Sequence, residues 1–250
     1  MTRLDQALVE RGLFDSREKA KRAVMAGQVE LNGQIARKAS DKVRPADTLA
    51  LRETERYVSR GGLKLERALE RFRIDPTGLT ALDLGASTGG FTDCLLQHGA
   101  ARVFAVDAGH GQLAWKLRQD PRVVVMERTN ARDLGVDSFP EPVPPFPLAV
   151  ADCSFISLAK ILPAAVALLA PDARLVALVK PQFEAGKAEV DRGQGVITDP
   201  VIHRRVLDEL RRFVTDELPG VVWRDVVDSP IKGPAGNREF LALIEKDGTI

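Results

Sequence analysis

Leu82-Asp83-Leu84-Gly85-Ala86-Ser87-Thr88-Gly89-Gly90-Phe91-Thr92 is an apolar run carrying a carboxylate that turns through glycines into a second apolar segment. Such a run predicts a buried strand, a tight loop and a helix, the opening unit of an α/β sheet. Glycines at 85, 89 and 90 let the backbone approach a ligand at the carboxyl end of the strand. Their G-x-x-x-G-G spacing departs from the G-x-G-x-x-G that cradles a pyrophosphate. Asp83 would repel a diphosphate, whereas it suits the sulfonium and ammonium of S-adenosyl-methionine. The expected cofactor contacts are therefore Asp83, Gly85, Ala86, Ser87, Thr88, Gly89, Gly90 and Phe91.

One strand-helix unit later, Val103-Phe104-Ala105-Val106 ends in Asp107, whose carboxylate can accept both ribose hydroxyls of an adenosine. Asn130 follows the next strand and is placed to meet the adenine edge, although Asn also simply initiates turns. Strands are predicted at about 80–84, 102–106, 122–126, 148–152, 174–179, 221–227 and 239–244. Helices are predicted at about 63–72, 90–98, 111–118, 158–169 and 200–215. The alternation predicts an α/β, Rossmann-like domain, a mostly parallel sheet with helices on both faces. Gln182 to Pro200 reads as a long loop of the kind that often carries function.

Toward the N-terminus the pattern changes. Leu4, Leu8, Val9 and Leu13, then Ala20, Ala23, Val24 and Met25, recur at helical spacing, with Ser16 placed to cap the second helix. Gly27 stops that helix, Val29 to Ile35 reads as a hairpin turning on Asn32-Gly33, and Asp47 to Leu51 supplies a strand. This small α+β pattern resembles the S4-like RNA-binding domain. The resemblance implies that Arg3, Arg17, Lys19, Lys21, Arg22 and, beyond the domain, Arg60 face structured RNA, through shape and phosphate contacts. A solvated helix face is the plain alternative for the helix cations. The expected organisation is an RNA-binding domain over 1–53, a charged linker over 54–62 and the larger domain over 63–250.

Composition narrows the function classes. Residues 1 to 60 hold roughly 13 Lys and Arg against roughly 9 Asp and Glu, a basic head on a chain whose net charge is only +1. The longest apolar run, Ile161 to Ala170, contains Pro163 and is too short for the roughly 18 to 20 residues of a membrane span. No secretory leader is visible, and two cysteines make neither a disulfide framework nor a zinc site. A monomer in the cytoplasm, with no membrane partner and no metal, is expected.

Ala151-Asp152-Cys153-Ser154-Phe155 bears on the methyl acceptor. Amino methyltransferases place an Asp or Asn before two prolines and an aromatic, and those prolines are absent. Cytosine carbon methylation uses a Pro-Cys nucleophile; Cys153 follows Asp152 and reads as packing. Oxygen methylation remains. Lys180, ending the apolar strand Leu175 to Val179, is an odd core residue and a useful base near a ribose hydroxyl. Lys64 would be the neighbouring cation that lowers its pKa, and Asp152 the group that orients it. With Glu239 they form a Lys-Asp-Lys-Glu order resembling the tetrad of FtsJ-like ribose 2′-O-methyltransferases. Asp152 also belongs among the cofactor contacts.

With Ser59-Arg60-Gly61-Gly62-Leu63-Lys64-Leu65, Gly111-Gln112-Leu113-Ala114-Trp115, Asp152 to Leu158 and Val179-Lys180-Pro181-Gln182-Phe183-Glu184, the chain resembles the TlyA family over nearly its whole length. That resemblance implies 2′-O-methylation of cytidine in bacterial ribosomal RNA, with the large subunit the expected target and the small subunit also open. The rivals are a non-catalytic ribosome-assembly factor that binds RNA, a haemolysin, which the absent membrane span disfavours, and, more remotely, a dehydrogenase.

Overall fold

The computed structural model describes residues 1–52 and 56–248 and divides into two compact units, Met1–Arg56 and Tyr57–Ile250. Of the linker expected at 54–62, residues 54 and 55 lie outside the described residues. Tyr57 is already buried, and the helix expected from Leu63 starts at Gly61.

The first unit runs β1 (Thr2–Arg3), α1 (Leu4–Glu10), α2 (Arg17–Met25), β2 (Val29–Leu31), β3 (Gln34–Ile35), β4 (Lys42–Val43) and β5 (Leu49–Leu51). The Ser16 hydroxyl accepts from Lys19 N and caps α2. Asn32 and Gly33 both take positive φ, 53° and 76°, the turn that matches the twist of a hairpin. β1 pairs with β4, two strands too short to show periodicity. Leu4, Leu8, Ala20, Val24 and Val29 close the core. At its rim Asp5, 4% exposed, takes Arg3 at 3.1 Å and Arg17 at 3.0 Å. Hydrogen bonding from Arg3, then from Arg17, holds its carboxyl at about 2. Lys19 pairs with Asp15 and Arg22 with Glu18. Solvent screening leaves exposed pairs such as these contributing little to stability.

The second unit runs α3 (Gly61–Phe72), β6 (Thr80–Leu84), α4 (Gly90–Gln97), β7 (Arg102–Asp107), α5 (Trp115–Arg118), β8 (Val123–Glu127), β9 (Phe146–Ala151), α6 (Leu162–Ala167), β10 (Leu169–Val179), α7 (Pro181–Glu184), α8 (Lys187–Arg192), α9 (Pro200–Glu217), β11 (Val221–Asp228) and β12 (Phe240–Lys246). The strands order as β11-β12-β10-β9-β6-β7-β8. β12 is antiparallel to both its neighbours, and the other pairings are parallel. Alternate residues feed two cores: Leu82, Leu84, Phe104 and Val106 on one face, Ala81, Val103 and Ala105 on the other. This is the period of two expected of strands covered on both sides. Chain order reverses between β6 and β9, and ligands of open α/β sheets bind at such a switch point.

Several expected elements differ. The helix predicted over 111–118 forms only at Trp115–Arg118, because Gly111 takes φ 73° and its amide is drawn to Glu127 Oε1. The helix predicted over 158–169 breaks into a 3-10 turn, Leu158–Lys160, and α6, and Leu169 already belongs to β10. The expected loop 182–200 contains two short helices, α7 and α8.

Candidate active site

β6 and β9 end side by side, and the glycine loop fills the gap between them. Gly85 stands at φ 81°, and a Cβ there would lie 2.8 Å from the Asp152 carbonyl oxygen. The amides of Gly85 and Ala86 both donate to Val106 O, which pins the loop to β7. A Cβ on Gly90 would lie 2.9 Å from Gly62 N and 3.1 Å from Gly61 Cα. Gly90 thus lets the first turns of α3 and α4 touch, which brings Ser59, Arg60 and Lys64 beside the loop.

Two cavities open along it. One, of about 230 Å³, is walled by Ser59, Arg60, Gly61, Lys64, residues 85–88, Gly90, Phe91, Asp152, Ile231, Lys232 and Pro234. The other, of about 360 Å³, includes Asp107, Gln112, Thr129, Asn130, Ser154 and Phe155. Gly85, Ser87 and Asp152 belong to both walls, so the pair forms a trough long enough for a cofactor-sized ligand.

The acidic side chains are held differently. Asp83 is fully buried; its Oδ2 accepts from Thr92 Oγ1 at 2.6 Å, while Oδ1 meets no partner. Burial, opposed by the Thr92 hydrogen bond, pushes its pKa up to about 7. A buried carboxylate oxygen without a donor is a position for a cationic ligand or bound water. Asp107 accepts from Ser87 N at 2.7 Å and Gly109 N at 2.6 Å, which fixes the carboxylate at the cavity wall with lone pairs to spare. Asn130 caps the following 3-10 turn through Arg132 N and also lines that wall.

The four residues of the expected tetrad arrive as two ion pairs. Lys180 Nζ lies 2.6 Å from Asp152 Oδ1 and donates to Ser154 Oγ at 2.8 Å. Lys64 Nζ donates to Glu239 Oε2 at 2.6 Å, with Glu239 1% exposed. Lys64 was expected as the cation beside Lys180; its immediate partner is Glu239 instead. Lys64 and Asp152, one member of each pair, face the same cavity. Burial and the Asp152 carboxylate push the Cys153 thiol up to about 12, which removes it as a nucleophile at neutral pH.

Sequence reasoning missed Ser154, which sits inside the quoted Asp152–Phe155 stretch, and the wall segment Ile231-Lys232-Gly233-Pro234. A Pro- and Gly-rich run between two predicted strands was the available signal for the latter. Phe155 was quoted but not singled out. It is 90% exposed, sits at φ 63° and packs on Phe183 at 5.1 Å between ring centroids. Among the described residues no group of His, Cys, Asp and Glu is arranged to hold a metal ion, and no helix is long and apolar enough to cross a membrane.

Comparison with known proteins agrees with this architecture. Residues 57–246 match the FtsJ-like methyltransferase family model, and residues 2–49 match the S4 domain. The 16S/23S rRNA (cytidine-2′-O)-methyltransferase TlyA of Mycobacterium tuberculosis is 50% identical, over 95% of this chain and 87% of that protein. Hemolysin A of Brachyspira hyodysenteriae is 42% identical over 96% and 98%. A solved structure named as a hemolysin of Streptococcus thermophilus is 46% identical with a TM-score of 0.74, over 99% of this chain and 89% of that one.

Proposed function

This chain belongs to the TlyA group of the FtsJ-like methyltransferase family, and we propose that it methylates the 2′-hydroxyl of a cytidine in ribosomal RNA, with the large subunit as first target. It does so as a monomer in the cytoplasm, where ribosomes are. The observation that carries the reading is that Lys64 and Asp152, each held in an ion pair with Glu239 and Lys180 respectively, face the same glycine-lined cavity.

The trough fits S-adenosyl-L-methionine at Gly85, where the space is one a side chain would fill; the expected contacts Asp83 and Gly89 line neither cavity, and Asp83 is buried with one oxygen unpartnered, so a cation would have to reach it from the loop. Asp107 and Asn130 would hold the adenosine, and Asp83, Asp152 and the backbone of residues 85–91 the remainder. When bound, the cofactor supplies an electrophilic methyl group on a sulfonium. Lys180, held by Asp152 and Ser154 and entering the reaction as the neutral amine, would accept the proton of the ribose hydroxyl as its oxygen takes the methyl, the C–S bond electrons remaining on the sulfur of the departing thioether. Lys64, fixed by Glu239, orients that hydroxyl. Orientation of this kind contributes about 7–11 kcal/mol, against roughly 3–5 kcal/mol, or 10²–10⁴-fold, from a general base, so the buried partners matter as much as the lysines. Phe155 offers a face on which a splayed base can stack. The S4 domain, with Lys21 exposed beside paired cations, contributes RNA affinity.

The test is transfer of a tritiated methyl group to ribosomal subunits from cells lacking the enzyme. Label confined to an alkali-resistant cytidine linkage is expected, since a 2′-O-methyl blocks hydrolysis there. Label on a base, or none, overturns the proposal; none together with tight RNA binding would indicate the assembly factor.

Cofactor affinity should depend on pH. A carboxyl with a pKa near 7 is protonated below that value, and a cation favours its ionised form. Binding therefore releases a proton, and affinity rises as pH climbs through 7, by up to about tenfold per unit below it. Without ligand the sign is opposite for folding. The raised pKa makes Asp83's contribution greatest below about 4 and lost as pH rises through 7. Calorimetry at pH 6, 7 and 8 in two buffers should show proton release that Asp83→Asn abolishes.

A further inference from the structure

Glu239 precedes β12 and has no helix or strand of its own to hold it, yet its carboxylate meets Lys64 Nζ at 2.6 Å. What holds it lies on both flanks. Asn237, 2% exposed, receives Ile197 N on Oδ1 at 2.8 Å and donates from Nδ2 to Gly195 O at 2.9 Å. Its own carbonyl accepts from Gly233 N. Gly233 lies so close to the acid that a Cβ there would stand 2.5 Å from Glu239 Oε1. On the other flank, Phe240 meets the ring of His203 edge-on at 5.5 Å. His203, 4% exposed, donates from Nε2 to Ile197 O at 3.0 Å, so that nitrogen carries the proton.

Ile197 is thus gripped at its amide by Asn237 and at its carbonyl by His203. The segment from Gly195 to His203 fastens the residues on either side of Glu239. This buried amide is satisfied at both ends by backbone groups 40 and 42 residues away, so removing it would leave the buried Ile197 N–H without a partner.

We propose that Asn237, seconded by His203, is a positioning residue for Glu239: by strapping Gly195 and Ile197 across the start of β12, it holds the carboxylate on Lys64 in the orientation that methyl transfer uses. The proposal rests on the tetrad reading above and adds to it a residue that touches neither ligand nor reacting atom. Displacing a catalytic group by about 1 Å can cost up to about 10²-fold.

A double-mutant cycle tests it. Asn237→Ala should lower kcat on ribosomal RNA by about 10- to 100-fold, with KM for RNA and affinity for S-adenosyl-methionine changed by less than about threefold. In a Glu239→Gln background the same substitution should lower kcat by less than about twofold, because the group it positions is already gone. His203→Phe, which keeps the ring contact and loses the bond to Ile197, should show a smaller loss with the same coupling, and His203→Gln should recover part of it. This variant keeps the test open if Asn237→Ala does not fold. Equal losses in both backgrounds, or unchanged kcat, overturn the proposal. If Glu239→Gln alone leaves kcat unaltered, the tetrad reading fails, and this inference with it.

Discussion

Lys180→Met should lower kcat by about 10²- to 10⁴-fold while leaving affinity for S-adenosyl-L-methionine within about threefold. The lysine is 7% exposed and its nitrogen is held by Asp152 and Ser154, so methionine keeps the packed stem and removes only the nitrogen. No cofactor contact is asked of it, hence the expected split between turnover and binding. Single-turnover kinetics with preformed cofactor complex would measure the chemical step directly. Turnover within threefold of the parent would dismiss Lys180 as the proton acceptor and leave orientation as the whole of catalysis.

Gly85→Ala should lose cofactor affinity by about 10²- to 10³-fold and lower the melting temperature. Two costs combine. Left-handed φ costs an alanine about 1–2 kcal/mol, and the new methyl would lie 2.8–3.0 Å from the Asp152 carbonyl and Cys153 Cα, overpacking worth typically ~1–3 kcal/mol. The atoms it meets are backbone, in a strand end tied to β6 through Asp152 N and Leu84 O, so relief requires moving Asp152 itself. Gly220 is the control: its φ is 74° but nothing lies within 4 Å. Gly220→Ala should show the strain alone, a lower melting temperature with unchanged cofactor titration. Equal effects on titration at both glycines would mean that the close approach at Gly85 is irrelevant to binding.

The central strands and the glycine loop were legible because both announce themselves locally: apolar runs ended by Asp83, Asp107 and Asp152, then glycines. Ser16 and Asn32-Gly33 were legible for the same reason, each being a single residue or pair whose chemistry fits one backbone geometry. The pairings in the site were not. Lys64 and Glu239 are 175 residues apart, and nothing local to either reports which lysine meets which acid. The shortening of α5 depended on Glu127, which takes Gly111 N, His110 and Arg118 together and thereby holds open a turn that periodicity reads as helix. Phe155 looks like core in a sequence; its exposure follows from a left-handed backbone at a non-glycine residue.

Asp5 has a consequence for how the N-terminal domain grips RNA. With Arg3 and Arg17 already folded onto one internal carboxylate, these guanidiniums sit on a resident anion that stands in for phosphate. On the proposed RNA-binding reading, docking exchanges Asp5 for phosphate, and the pair brings one less net positive charge to the RNA, so fewer of the RNA's condensed counterions are set free. The number of counterions released, and so the steepness with which binding weakens in salt, should fall below a simple count of the basic residues on that face, making the grip weaker at low salt but steadier across ionic strengths.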